Sequence, residues 1–386
     1  SNRISIGAAN PMPDVFAIDG VIRRYEWGSR TEIQRMLGIE PDGRPAAELW
    51  FGAHEGDPSP ARQSTLDRLI DAEPRRLLGA ATVARFGPRL PFLIKVLAAE
   101  TALSMQVHPT LEQARAGFAA GDPNYTDANH KPELLCALTP FEALCGFRPV
   151  AATLALLDKL AIPELGFVAD ALRGPDALRA AFTAVLTHPC PAVLADALAA
   201  RARPDGPLRA MWLAAHDFPG DVGVALSVLL NPVRLEPGEA IYLGAGTVHA
   251  YLRGTGVEIM ANSDNVLRCG LTPKRIDVPE LLKITDFAEL TEPRWPADDG
   301  DAFTPPVPDF RLESVRVDDY GSGQGGSFAV GLHGPHIVLC VAGEVDVWHG
   351  GSSVRLRPGH AAFVVARPAA FGVRGTGHVL LATTNI

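Results

Sequence analysis

Three things are scarce in this chain: paired cysteines, long apolar runs and excess positive charge. The 386 residues contain five cysteines, Cys136, Cys145, Cys190, Cys269 and Cys340, widely spaced and with no Cys-x-x-Cys. An odd, scattered set excludes a disulfide scaffold and reads as free buried thiols in a reducing compartment. No uninterrupted apolar stretch approaches the ~20 residues of a membrane span, and residues 1–16 lack an apolar core of signal-peptide length. The expected location is cytoplasmic. Lys and Arg number 35 against 44 Asp and Glu, a formal charge of −9 that repels nucleic-acid phosphates and anionic membranes. Neither is expected as a partner. A small anionic substrate stays open, because a few clustered cations reverse the field inside a pocket.

What is present is a chain able to bury several cores. Its 47% apolar and 20% charged residues are those of a globular protein. At ~100–200 residues per domain its length suggests two or three domains. The 37 Gly and 33 Pro are spread along the chain, favouring tight turns between short strands over a linker.

Residues 90–97 (LPFLIKVL) and 103–108 (LSMQVH) read as strands, and residues 112–120 as a short helix opened by Thr110. The character changes near residue 150. Residues 151–230 are rich in Ala and Leu at helical spacing and are cut by Pro163, Pro175, Pro189, Pro204 and Pro219. They predict a helical insert of four to six short helices, a packing or lid module with no catalytic residue. Strand character returns at Val233 and again from Phe310 onward. An internal repeat aligns Leu235-Glu-Pro-Gly-Glu-Ala-Ile-Tyr-Leu-Gly-Ala245 without gaps on Leu356-Arg-Pro-Gly-His-Ala-Ala-Phe-Val-Val-Ala366. A Pro-Gly turn entering a half-buried strand is characteristic of double-sheet barrels of the cupin type. Extending the alignment sets Ala370 opposite His249, so the second copy reads as structural. The predicted fold is mainly β with a helical insert: two cupin-like jelly-roll barrels plus an all-α domain. Its domains are 15–150 with 231–290, then 151–230, then 300–386.

Three clusters carry polar groups in apolar settings. On a strand, Ser104, Gln106 and His108 share one face while Met105 and Val107 point away. In Asn129-His-Lys-Pro-Glu133, Pro132 favours an extended turn, and Glu133 opens the apolar run Leu134-Leu-Cys-Ala137. The third runs from Gly246-Thr-Val-His-Ala-Tyr251 to Lys274 and places Glu258 between Val257 and Ile259. Each resembles an ordinary strand or loop by itself. Together they offer two His, one carboxylate and one amide oxygen, a donor set suited to zinc, with manganese, iron or cobalt as substitutes.

The same stretches, with Tyr25-Glu-Trp-Gly28, Ala47-Glu-Leu-Trp50, Gly52-Ala-His54 and Ser263-Asp-Asn-Val-Leu-Arg-Cys-Gly-Leu-Thr-Pro-Lys274, resemble the type I mannose-6-phosphate isomerases over about residues 20–150 and 233–285. Two departures are Gly244, where many members have Pro, and Cys269, where a small residue is usual. The resemblance implies a zinc-dependent aldose–ketose isomerase acting on mannose 6-phosphate and fructose 6-phosphate. It assigns one zinc to Gln106, His108, Glu133 and His249, and marks Arg268 as catalytic. The chemistry requires a proton moved between C1 and C2 and an oxyanion held in between. Arg268 is expected to stabilise the enediolate. Glu258 and Lys131 are the proton-transfer candidates, His130 the ring-opening group, and Asp264 an orienting residue or a turn residue. For the phosphate, Lys274 and Ser104 are favoured over Lys95 and Arg268. Tyr251 and Trp27 are expected to wall the sugar, with core packing the alternative for Trp27. A monomer is expected, a homodimer being the alternative. The competing readings are an iron-dependent cupin oxygenase or isomerase and a non-catalytic sugar-phosphate sensor.

Overall fold

A computed structural model describes residues 11–318, 327–367 and 369–386. Residues 1–10, on which most of the N-terminal reading falls, and residues 319–326, inside the expected C-terminal domain, lie outside the described residues.

The chain is mostly antiparallel β with a helical part. Among the described residues, the larger sheet has eleven strands and the smaller has eight. The expected strand at 90–97 begins at Phe92, after Pro91, and runs as Phe92–Ala99, buried at every residue. The stretch at 103–108 contributes the shorter strand Met105–Val107. Between them and the helical part, Leu111–Ala119 is a helix whose Thr110 and Gln113 form a reciprocal capping box.

The strand His249–Ala261 organises the larger sheet. It pairs with Phe92–Ala99, Met105–Val107, Glu133–Ala137 and Phe141–Phe147. Serving both halves requires a sharp bend, which falls at Gly254 (φ +123°), where a Cβ would lie 2.6 Å from the Pro140 carbonyl oxygen. The consequence for function is that His249, at the start of this strand, is brought against residues far apart in sequence.

The helical part leaves the sheet after Phe141–Phe147 and returns at Leu230–Leu235, and these two strands pair with each other. Six α-helices lie between them, from Val150–Leu160 to Val222–Leu226. Their apolar faces do not form a separate core. Val168, Phe182, Leu198, Leu213 and Leu226 pack in one cluster with Met105, Val107, Leu267 and Cys269 of the larger sheet. No single helix among the described residues is long and apolar enough to cross a membrane. Four cysteines are buried as expected, whereas Cys190, just ahead of the helix Pro191–Ala199, is exposed.

The first strand among the described residues joins the smaller sheet. Residues 15–18, read as the start of the first domain, form the strand Val15–Ile18, which pairs with Ala361–Val364 of the C-terminal region. Val15 faces one apolar cluster of that sheet while Phe16 and Ile18 enter the cluster between the two sheets, so the strand is buried only there. The repeat is structural. Its copies form the equal strands Ala240–Leu243 and Ala361–Val364, each preceded by a positive-φ glycine, Gly238 (+92°) or Gly359 (+81°). The following strands, His249–Ala261 and Phe371–Thr383, bend at aligned glycines, Gly254 (+123°) and Gly375 (+124°).

The smaller sheet sets His336 opposite Val364, as the larger sets Glu133 opposite the aligned Leu243. His336 is fully buried, donates Nδ1–H to the Gly334 carbonyl at 2.8 Å, and leaves Nε2 without a partner among the described residues, its ring edge-on to Phe371. Burial pushes its pKa down to about 4. As pH falls from 6.5 toward 4, the unfolded chain therefore binds a proton that the folded chain refuses, and stability drops. His336→Leu should remove about 3 kcal/mol of this acid sensitivity. Urea unfolding at pH 7 and pH 4.5 checks it: an unchanged pH difference would show that His336 does not contribute.

Candidate active site

His108, Glu133 and His249 are buried, and their donor atoms lie within 4.8 Å of one another. His108 Nε2 is 3.2 Å and His249 Nε2 3.5 Å from the same oxygen, Glu133 Oε2. Each ring is oriented from behind. His108 Nδ1–H donates to the Asn265 carbonyl at 3.0 Å, and His249 Nδ1–H to the Thr247 carbonyl at 2.9 Å. A carbonyl only accepts, so in the neutral rings the Nε2 lone pairs face the Glu133 carboxylate. Lone pairs turned on a buried anion repel it unless a cation lies between, and two imidazoles with one carboxylate are the donors a zinc-like ion takes. The residues present therefore fit such an ion. Burial lowers the pKa of His108, favouring its neutral form. Burial raises Glu133, but its charged and hydrogen-bonding neighbours, the Lys131 ammonium among them, outweigh it and hold the carboxyl well below its usual range.

Cross-strand pairing adds two more of the expected residues. Gln106 lies opposite His249 on one side and Arg268 on the other. Gln106 Nε2 donates to Ser104 Oγ at 3.1 Å, which leaves its amide oxygen free to act as a donor to a metal. Lys131 Nζ stands 3.6 Å from Glu133 Oε1. Arg268 is half-buried, its pKa lowered by desolvation, and its guanidinium has no hydrogen bond or ion pair with the described residues. A partly desolvated permanent cation without a partner is costly, and such a group beside a metal-type cluster marks an anion-binding position.

Lys95 is placed differently from the phosphate role considered for it. It is buried between Glu48 (3.0 Å) and Glu258 (3.4 Å), with Trp50 over its ammonium at 5.1 Å. Burial alone would lower its pKa, but the carboxylates outweigh it and raise it. Tyr251, expected to wall the sugar, is also buried and donates its hydroxyl to Glu258 Oε2 at 2.6 Å. Glu258 is thus held by a phenol and an ammonium. Burial, with the nearby Glu133 charge, pushes it up to about 7, within reach of both protonation states at neutral pH.

The remaining expected residues lie further out. His130 Nε2 pairs with Asp309 Oδ1 at 2.9 Å, a residue from the C-terminal side of the chain. Asp264 is exposed and pairs with His54 at 3.3 Å rather than with Arg268 or Lys131, and this hydrogen bond lowers its pKa. Lys274 is exposed on the loop beyond Arg268, its amide donating to Thr272 Oγ1. Trp27 is half-buried, stacks on Tyr25 at 5.6 Å and packs against the cluster containing Tyr251.

Glu48 and His54 entered the sequence reading only as members of motifs, with no role, and Asp309 not at all. Glu48 carried the same signal as Glu133 and Glu258, a carboxylate inside an apolar run (Ala46-Ala47-Glu48-Leu49-Trp50). Asp309 carried none, because its partner is 179 residues away.

Fold and site together define an antiparallel-β enzyme with a buried His/Glu/His centre and, on the strand paired with that of Gln106, a guanidinium that has no hydrogen bond or ion pair with the described residues. Residues 15–150 match the model of the phosphomannose isomerase type I catalytic domain. The mannose-6-phosphate isomerase of Escherichia coli K12 is 37% identical over 388 aligned residues, covering 93% of this chain and 96% of that protein. The Bos taurus enzyme of the same name is 36% identical, covering 78% of this chain and 82% of that protein. Among solved structures, a mutant of Salmonella typhimurium phosphomannose isomerase superposes with a TM-score of 0.88 at 34% identity, covering 97% of this chain and all of that one. A mannose 6-phosphate isomerase bound with zinc and yttrium superposes at 0.87, also at 34% identity and with the same coverage. This chain belongs to the type I mannose-6-phosphate isomerase family.

Proposed function

We propose that this chain interconverts D-mannose 6-phosphate and D-fructose 6-phosphate through an enediolate, using one zinc ion held by Gln106, His108, Glu133 and His249. On this reading the two sheets are cupin-like barrels, the second of them structural, with the helical part inserted in the first. The observation that supports the proposal is the half-buried Arg268 guanidinium, without a hydrogen bond or ion pair among the described residues, on a strand whose pairing sets Arg268 opposite Gln106.

When bound, zinc supplies a Lewis acid that polarises substrate oxygens. The chain's own residues do the rest. A base removes the proton from C2 of the aldose and the electron pair passes through C1 to O1. A proton then passes from the O2 hydroxyl to O1, and the carbon proton is returned at C1 as the C2 carbonyl forms, giving the ketose. Glu258 suits this transfer because its carboxyl, held near neutrality, can both accept and return a proton. Lys131 is the second candidate, and its ammonium beside Glu133 places a cation at the same centre. Arg268 holds the oxyanion while the charge resides on oxygen. His130, oriented by Asp309, acts in ring opening, and Asp264 orients the edge of the site through His54. Lys274 and Ser104 take the phosphate. Lys95 is excluded from that role because both of its neighbours already neutralise it; it keeps Glu258 in place instead.

An oxygenase would need no guanidinium of this kind, and a sensor would need no carboxyl poised near neutrality. The deciding assay follows fructose 6-phosphate formation from mannose 6-phosphate before and after a chelator. Turnover should stop on chelation and return with added zinc. Tight sugar-phosphate binding with no product would replace the isomerase by the sensor.

A further inference from the structure

We infer that Asp221, in the helical part, is a positioning residue for the isomerase site: it holds the backbone that carries Arg268 and Lys274. The inference rests on the isomerase reading above and concerns a segment that the reading leaves unexplained. Pairing between Leu267–Gly270 and Met105–Val107 is regular at Arg268, opposite Gln106, and then slips, so that Cys269 bulges before Gly270 meets Met105. A bulge leaves backbone amides without ladder partners and turns the strand away. The next residue, Leu271, has φ +50°, a conformation costly for a branched side chain. Something must hold this segment in place.

Asp221 does so from the other side. Its Oδ1 accepts the amides of Leu271 at 2.6 Å and Gly223 at 2.7 Å, and its Oδ2 accepts the Thr272 amide at 3.2 Å. One carboxylate thus caps the helix Val222–Leu226 and satisfies two amides just past the end of the bulged strand. The approach is close because both surfaces are glycine. A Cβ on Gly270 would sit 2.4 Å from the Gly223 Cα, and one on Gly223 would sit 2.7 Å from the Leu271 amide nitrogen. Since the Arg268 guanidinium has no hydrogen bond or ion pair with the described residues, its position is set by this backbone, and Lys274 lies two residues beyond the clamped Thr272. The helical part, read from sequence as a packing or lid module, therefore positions the cations without supplying a group that touches substrate.

The test compares wild type with Asp221→Ala and Asp221→Asn, each zinc-loaded and assayed well below its unfolding midpoint. Asp221→Ala should raise KM for mannose 6-phosphate and lower kcat, with kcat/KM falling about tenfold or more at unchanged zinc content. Asp221→Asn keeps an acceptor for Leu271 and Gly223 and should recover to within about threefold of wild type. Hydrogen exchange should show loss of protection at Leu271 and Thr272 in the alanine variant. Unchanged KM and kcat in Asp221→Ala, or a lowered unfolding midpoint as the sole effect, would overturn the inference. If Asp221→Ala does not fold, Gly223→Ala carries the test, because its methyl displaces the Leu271 amide with Asp221 intact and should give the same kinetic loss. Absence of wild-type turnover removes the isomerase reading, and the exchange experiment then judges the clamp alone.

Discussion

Arg268→Ala should lower kcat roughly 10²–10³-fold, the loss typical of one preorganised oxyanion donor, about 3–4 kcal/mol, while zinc remains at wild-type stoichiometry. The expectation follows from what Arg268 does not do. It makes no ion pair or hydrogen bond with the described residues, although it is partly desolvated, so its cost to the fold is not offset within the fold. Removing it should leave the unfolding midpoint unchanged or raise it. A structural arginine would behave oppositely, with lower stability and near-normal turnover, and that outcome would take Arg268 out of the mechanism. Arg268→Lys should recover only part of the rate, because an ammonium keeps the charge and loses the planar fork.

Glu133→Ala should have the larger effect, releasing the metal and lowering turnover about a thousandfold or more, equivalent to several kcal/mol of lost Lewis-acid stabilisation. Glu133 is the only anion of the proposed ligand set, and Lys131 and both imidazoles converge on it. Without it, a divalent ion would enter a buried site lined by two neutral rings and an ammonium, with nothing to compensate its desolvation. Metal content measured on the purified variant decides the question: stoichiometric zinc in Glu133→Ala would exclude the carboxylate as a ligand. Wild type stripped by a chelator should reproduce the kinetic defect but regain activity with zinc, which the variant should not.

Much of the site could be read along the chain because buried polar groups stand out against apolar neighbours. Gln106 and His108 alternate with Met105 and Val107, Glu133 leads an apolar strand, and Glu258 lies within one. The same contrast at Glu48 was available and leads to the residue that shares Lys95 with Glu258. The surroundings of Lys95 were not legible, because one strand reveals a buried cation but not the two carboxylates on the neighbouring strands that neutralise it. His130 and Asp264 were legible as polar residues near the site, yet their partners, Asp309 and His54, come from remote segments. The repeat was legible as a matching pair of turns and strands, since a positive-φ glycine and an apolar strand are local features. The strand Val15–Ile18 was not: an alternating apolar segment fits any open sheet edge, and its edge lies more than three hundred residues away.

By itself the sequence determined the local periodicities, the mainly β character with a helical part, the polar groups too costly to bury idly, and the family that those motifs resemble. These depend on residue type and spacing. Only the tertiary structure decided which groups meet: Gln106 with both His249 and Arg268 across the sheet, Lys95 with two carboxylates, Asp221 with the segment beyond Arg268. Those pairings are set by strand register and by close backbone approach across the fold. The charge of −9 shows the difference most simply. A net charge sums over the whole chain, whereas an anion responds to the few cations within a Debye length of it.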